Sequence, residues 1–282
     1  MLLLRLLSRC PLWFLHGLGA AVGWLSWALS PSYRRRIREH RALAGLHGWA
    51  GMGAVGQAGR MIAELPWLWL RAPDQPLGAR VRWEGEQHIL AVPPGRGLIF
   101  LTPHMGCFEV TAQAYAEHFA ASHGAITVLY RPARKPWMRE IVAASRQRPH
   151  LDTAPATLSG VRQMLRALRQ GQAVGLLPDQ VPPQGQGVWA PFFGRPAYTM
   201  TLAQRLALQT GAAVVLVWGE RLSWGRGYVV HVRPGPQIPA DSSPECAAEL
   251  INQSMQALIL EAPDQYLWGY NRYKSPREGG LE

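Results

Sequence analysis

The feature that most limits how this chain can fold is a six-residue run, Gly97-Leu98-Ile99-Phe100-Leu101-Thr102, opened by glycine and stopped by Pro103. A short run of large apolar residues with no polar alternation reads as a strand covered on both faces, so helices must lie on both sides of the sheet it joins. The pattern recurs over residues 125–130, 173–177 and 212–218, with shorter strands expected over 80–84 and 228–232. Between these runs the apolar period turns helical, over 86–92, 107–121, 136–147, 158–170, 198–210 and 245–261. Strands alternating with helices predict an α/β fold.

His104 stands where the first strand gives way to a helix, the edge at which an open α/β sheet collects chemistry. Glu109 follows five residues later. In one straight helix that spacing points the two side chains to different sides, because neighbours on a face are three or four apart. They meet only if His104 sits on the turn and Glu109 in the first helical turn, which Pro103 and Gly106 permit. The pair then reads as an imidazole base near its working pH, held by a carboxylate. The competing reading is a histidine and a glutamate that merely flank a turn.

The strand-Pro-His-Gly-helix segment with His104-x4-Glu109 resembles the H-x4-D/E motif of the glycerolipid and lysophospholipid acyltransferase superfamily, and more closely its bacterial lipid A late-acyltransferase branch. Three later segments extend the resemblance in order: the strand 125–130 running into Arg131-Pro132, the strand 173–177 running into Pro178-Asp179-Gln180, and Pro191-Phe192-Phe193-Gly194. The ending Gln265-Tyr266-Leu267-Trp268-Gly269-Tyr270-Asn271-Arg272-Tyr273-Lys274 matches the family's aromatic, basic close approximately, without the histidine usual near Gly269-Tyr270. Cys107 replaces a frequent asparagine, which raises a thiol nucleophile served by His104 as a minor alternative.

The resemblance implies a central mixed, largely parallel sheet flanked by helices. It implies acyl transfer from acyl carrier protein to a hydroxyl of a lipid A precursor, with His104 as general base, Glu109 orienting it, and no cofactor or metal. Arg131 would hold a phosphate or offset the oxyanion, Asp179 would position a basic group or a sugar hydroxyl, and Phe192 and Phe193 would line an acyl groove or close the core. Arg146 joins the substrate-binding candidates. Arg162, Arg166 and Arg169 share one helical face and read as a docking patch for the acidic carrier or as a solvated face.

A net charge of +11 predicts an anionic partner, whether nucleic acid, anionic lipid or an acidic carrier. Tryptophans among the N-terminal leucines and arginines favour a membrane surface over nucleic acid. Residues 11–29 contain no Asp, Glu, Lys or Arg and, as a helix, span roughly 28 Å, about a bilayer's hydrocarbon thickness. The cluster Arg34, Arg35, Arg36, Arg38 and Arg41 follows, which places the catalytic part on the cytoplasmic face of a bacterial inner membrane. His16 and the Gly19-x3-Gly23 spacing are expected to carry no weight. The chain divides into an anchor (1–30), a helical membrane-proximal segment and linker (31–79) and an acyltransferase domain (80–282). Three scattered cysteines give neither a disulfide framework nor a zinc site. Other readings are the same chemistry on a lysophospholipid, glycolipid or aminolipid, and a non-catalytic tethered binder of anionic lipid or nucleic acid.

Overall fold

The computed structural model describes residues 2–72, 74–130 and 148–277. Arg131, Arg146 and the helix expected over 136–147 lie outside the described residues. The chain opens with five helices: α1 (Leu2–Ser8), α2 (Leu12–Leu29), α3 (Pro31–Leu43), α4 (Ala54–Ala63) and α5 (Leu65–Trp69). Then come β1 (Val81–Glu84), α6 (Gln87–Leu90), β2 (Leu98–Leu101), α7 (Phe108–His118), α8 (Ala120–His123), β3 (Ile126–Tyr130) and β4 (Leu151–Pro155). The second half holds α9 (Leu158–Arg169), β5 (Ala173–Leu176), β6 (Gly187–Phe192), β7 (Arg195–Met200), α10 (Leu202–Thr210), β8 (Ala213–Arg221), β9 (Tyr228–Pro234) and α11 (Pro244–Glu261).

Seven strands form one sheet in the order β1-β9-β8-β2-β5-β3-β4. Every neighbouring pair is parallel except β8 and β9, which form an antiparallel hairpin. The sheet is therefore mixed and largely parallel. Its central strands β2 and β5 are buried at every position, because both faces are covered. Ile99, Leu101, Val174, Leu176 and Leu216 face a core closed by α9, α10 and α11. Leu98, Phe100, Val215 and Val217 face a second core, closed by α7 and reached by Leu12 and Leu15 of α2.

Two local expectations give way. The helix expected from residue 198 starts at Leu202, because residues 195–200 pair with 187–192 as an antiparallel hairpin. Phe193 (φ 47°) and Gly194 (φ 73°) make its left-handed turn, and aromatic and β-branched residues, Trp189 opposite Tyr198 and Val188 opposite Thr199, fill its ladder. Strand β4 at the sheet edge was not expected; it is short and only partly buried, so it carries little apolar signal.

The N-terminal helix α2 is long and apolar enough to cross a membrane. Its inner face is locked onto α4. A Cβ on Gly19 would stand 2.6 Å from the carbonyl oxygen of Gly59, and one on Gly23 would collide with that of Val55. The two glycines thus let the helix backbones touch. The small-residue spacing expected to carry no weight is what fits the anchor helix to the body.

Candidate active site

Strands β2 and β5 are parallel neighbours with Leu101 opposite Leu176. Three residues past each register partner stand His104 and Asp179, so the sheet alone brings together two turns that are 75 residues apart. The meeting is tight. His104 Nδ1 lies 2.7 Å from Asp179 Oδ1, and the His104 backbone N–H donates to Oδ2 at 2.9 Å. Asp179 is 1% exposed, whereas the His104 side chain keeps 18% of its surface open. Burial pushes the Asp179 carboxyl up, but the His104 imidazole, the two hydrogen bonds from His104 and the charge of Arg272 outweigh it and hold Asp179 below the usual carboxylate range. An ionised carboxylate only accepts, so Nδ1 carries the proton.

With His104 on the turn before α7, Glu109 takes the place that its spacing requires. It lies in the first turn of α7 and accepts from the Trp69 indole N–H at 3.4 Å, on the wall of the cavity that His104 also lines. The carboxylate on the imidazole is Asp179. The neighbouring strand delivers it in register.

The turn itself is pinned from beneath. Gly106 has φ +55°, and a Cβ there would collide with the Gly219 carbonyl on β8. Its N–H donates to Gln265 at 2.9 Å, and Cys107 N–H donates to Gly219 at 2.8 Å. The Gly106 carbonyl accepts from Arg221 Nη2 at 2.8 Å. Arg221 also donates from Nε to Glu64 Oε2 at 2.8 Å, from Nη2 to Glu64 Oε1, and from Nη1 to Gln57 at 2.7 Å. Glu64, with no exposed surface, further holds His16 of α2 at 3.0 Å and the Tyr228 hydroxyl at 3.1 Å. Burial pushes the Glu64 carboxyl up, but Arg221 and His16 hold it at about 2. A buried ionic network thus runs from α2 to the turn that carries His104. Sequence reasoning missed it; its only local trace was a histidine inside an apolar helix.

Cys107 is 1% exposed, and burial together with the Glu64 carboxylate pushes its thiol well up. A thiolate nucleophile there is ruled out on both counts. Among the described residues no three His, Cys, Asp or Glu side chains converge to hold a metal ion.

From His104 a cavity of about 280 Å³ runs between the sheet and α7, walled by Phe100, Tyr115, Ile126, Val128 and Leu151. Gly175 on β5 makes the room: its missing side chain opens the space over the strand, where even a Cβ would approach Val128 Cγ1 to 3.1 Å. Phe192 and Phe193 take no part in it. Phe192 is 2% exposed in the core on the sheet's other face, beneath the Arg272 guanidinium, and the Phe193 ring packs at a tilt against Trp268, centroids 5.7 Å apart. They close the core and do not line the groove. The closing segment does reach the site: Leu267 N–H donates to the His104 carbonyl at 3.1 Å, and Arg272 donates to Tyr198 and Thr199 at 2.6 and 2.7 Å. Arg162, Arg166 and Arg169 are all exposed on α9.

Residues 53–275 match the family described as Bacterial lipid A biosynthesis acyltransferase. The chain belongs to this family. It is thus an acyltransferase of the lipid A class, and the His104–Asp179 turn, the cavity and the closing segment all fall within the matched residues. It is 28% identical over 225 residues to the lipid A biosynthesis lauroyltransferase of Escherichia coli K12, covering 78% of this chain and 70% of that one. A lipid A biosynthesis acyltransferase of Haemophilus influenzae is 24% identical over 204 residues, covering 72% and 62%. The E. coli lipid A biosynthesis palmitoleoyltransferase is 30% identical over 148 residues, covering 52% and 47%. Among solved structures, the 1-acyl-sn-glycerophosphate acyltransferase PlsC of Thermotoga maritima aligns over 94% of this chain and 97% of its own, at 15% identity and a TM-score of 0.39, a likeness too loose to build on.

Proposed function

We propose that this acyltransferase moves a fatty acyl chain from acyl carrier protein to a hydroxyl of a lipid A precursor at the cytoplasmic face of the bacterial inner membrane, with His104 as general base and Asp179 as the group that orients it. The observation that carries the reading is an imidazole whose Nδ1 is fixed by a buried carboxylate and whose side chain lines an apolar cavity. Nε2 takes the proton of the acceptor hydroxyl, and the alkoxide oxygen attacks the thioester carbonyl. The new C–O bond forms, the tetrahedral intermediate collapses with loss of the C–S bond, and the imidazolium returns its proton to the leaving thiolate. Asp179 steadies the imidazolium without itself taking the proton. The oxyanion is met by backbone amides at the start of α7 and by Arg131, which keeps the role the resemblance gives it. Glu109, on the cavity wall, is assigned to the acceptor rather than to the ring.

The apolar cavity supports a fatty acyl donor. The exposed arginines of α9 support docking of an acidic carrier protein. The reaction as written draws on no metal or cofactor. Purified protein supplied with acyl carrier protein thioesters and a lipid A precursor, read by mass spectrometry, is the direct test. His104→Ala should abolish transfer with the fold retained; turnover within tenfold of the parent would sink the base assignment. Unchanged lipid A in cells lacking the protein would instead move the acceptor to another lipid.

A further inference from the structure

Helix α2 has two unlike faces. The inner face, Leu12, Leu15, His16, Gly19 and Gly23, is buried against the body. The outer face carries Trp13, Phe14, Leu18, Val22, Leu25 and Leu29, which are 59%, 44%, 45%, 52%, 57% and 73% exposed. These side chains recur every three or four residues and form one stripe roughly 25 Å long. An apolar surface of that extent on a folded protein marks something that covers it.

What covers it follows from how the helix is held. Its first turn is clamped by the tip of the β8–β9 hairpin, where Gly225 packs so closely on Leu12 and Trp13 that a Cβ would collide with the Trp13 nitrogen. Its middle is tied by His16 to Glu64 and by Gly19 to Gly59. Towards its end Trp24 packs on Gly56 and Trp27 against the core, and the next helix is fastened by Arg36 to the Gly269 carbonyl at 2.9 Å. A crossing helix would carry the hairpin tip and α3 to opposite sides of the bilayer, with the Glu64–Arg221 pair between them in hydrocarbon. The body would have to follow.

We infer that α2 does not cross the membrane but lies in the plane of one leaflet, its outer stripe immersed, and that the β8–β9 hairpin tip is a second insertion point through Trp224. Trp224 is 84% exposed and has φ 61°, a left-handed backbone that a bulky aromatic seldom adopts. That conformation places the indole at the protein's surface beside Trp13, the position of an interfacial aromatic. The charge around the stripe fits anionic headgroups. Arg5, Arg9, Arg35, Arg38 and Arg226 are exposed near its two ends, and the chain's first acidic residue is Glu39. An amphipathic helix with a basic rim is the usual in-plane binder of anionic lipid. This docking mode holds whichever lipid is acylated.

The test uses the full chain in membranes of a Gram-negative host, with Cys10 and Cys246 changed to Ser. Single cysteines at Ser8→Cys, Ser32→Cys and Ser223→Cys are probed with a membrane-impermeant maleimide in spheroplasts and in inverted vesicles. All three should react in inverted vesicles only. Reaction of Ser8→Cys and Ser32→Cys from opposite sides would overturn the in-plane reading. In co-sedimentation of the purified protein with phosphatidylglycerol–phosphatidylethanolamine vesicles, Trp224→Ser should lower the partition coefficient about tenfold, and Trp224→Phe should largely restore it. Trp189→Ser, on the sheet's other face, should leave binding unchanged. Parental binding by Trp224→Ser would remove the hairpin from the interface. Efficient cross-linking of Leu25→Cys between two copies would give the stripe to a second subunit instead.

Discussion

Arg221→Met is the most informative single change, because it cuts the link between α2 and the turn that carries His104. The substitution keeps most of the aliphatic stem and removes the donors to Glu64, Gln57 and Gly106. Glu64 is then left fully buried without the guanidinium, still held by His16 and Tyr228. Two routes give the magnitude. Removing one partner of a buried pair typically costs about 3–5 kcal/mol, since the remaining charge is uncompensated. Independently, burial pushes Glu64 up and its partners hold it at about 2 against an ordinary 4.5. That difference is worth about 3 kcal/mol at 1.36 kcal/mol per pH unit. At about 2–4 °C per kcal/mol for a chain of this size, the melting temperature in detergent should fall by about 6–12 °C at pH 7.5. The sign of the pH dependence is fixed too. A carboxyl depressed on folding contributes fully above its unfolded value and loses that contribution as pH falls through its folded value. The gap between parent and variant should therefore narrow between about pH 4.5 and pH 2. Arg221→Met/Glu64→Leu should recover part of the loss, because an apolar replacement of both partners removes the stranded charge. Scanning fluorimetry over that pH range decides the matter. A variant melting within 2 °C of the parent, or a gap that ignores pH, would show that the network does not hold the turn.

Other outcomes follow from the same geometry. Asp179→Asn should leave the fold intact and lower kcat by roughly 10²–10⁴, because an amide cannot fix the Nδ1–H tautomer or steady the imidazolium; a loss confined to KM would make Asp179 a substrate contact. Glu109→Gln should spare single-turnover hydrolysis of the thioester by water more than transfer to the lipid; equal loss of both would return Glu109 to the chemistry. Gly175→Val should fill the floor of the cavity and shift preference towards donors several carbons shorter, read as the ratio of kcat/KM across a thioester series; an unchanged ratio would move the acyl chain elsewhere. Gly19→Leu should destabilise the chain by several kcal/mol, since the side chain has only the α4 backbone to enter; thermal melting checks it.

The sequence by itself determined the elements that carry the chemistry. Gly97 to Thr102 and residues 173–177 read as buried strands because a run of large apolar residues needs no partner to be recognised, and Pro103 and Pro178 end them because proline cannot continue the ladder. That placed His104 and Asp179 each just past a strand end. Only the tertiary structure decided that β2 lies beside β5, in the register that sets Asp179 against Nδ1 of the imidazole. Strand order and register depend on which long loops close and which faces are buried, and neither leaves a mark in the local period. The same holds for Phe192 and Phe193, whose aromatic character was plain but whose side of the sheet was not, and for His16, Glu64 and Arg221. Each of those three is an ordinary polar residue in its own stretch of chain. They become one buried network only when α2, α4 and β8 pack together, because a buried charge is tolerated where its partners arrive from elsewhere in the fold.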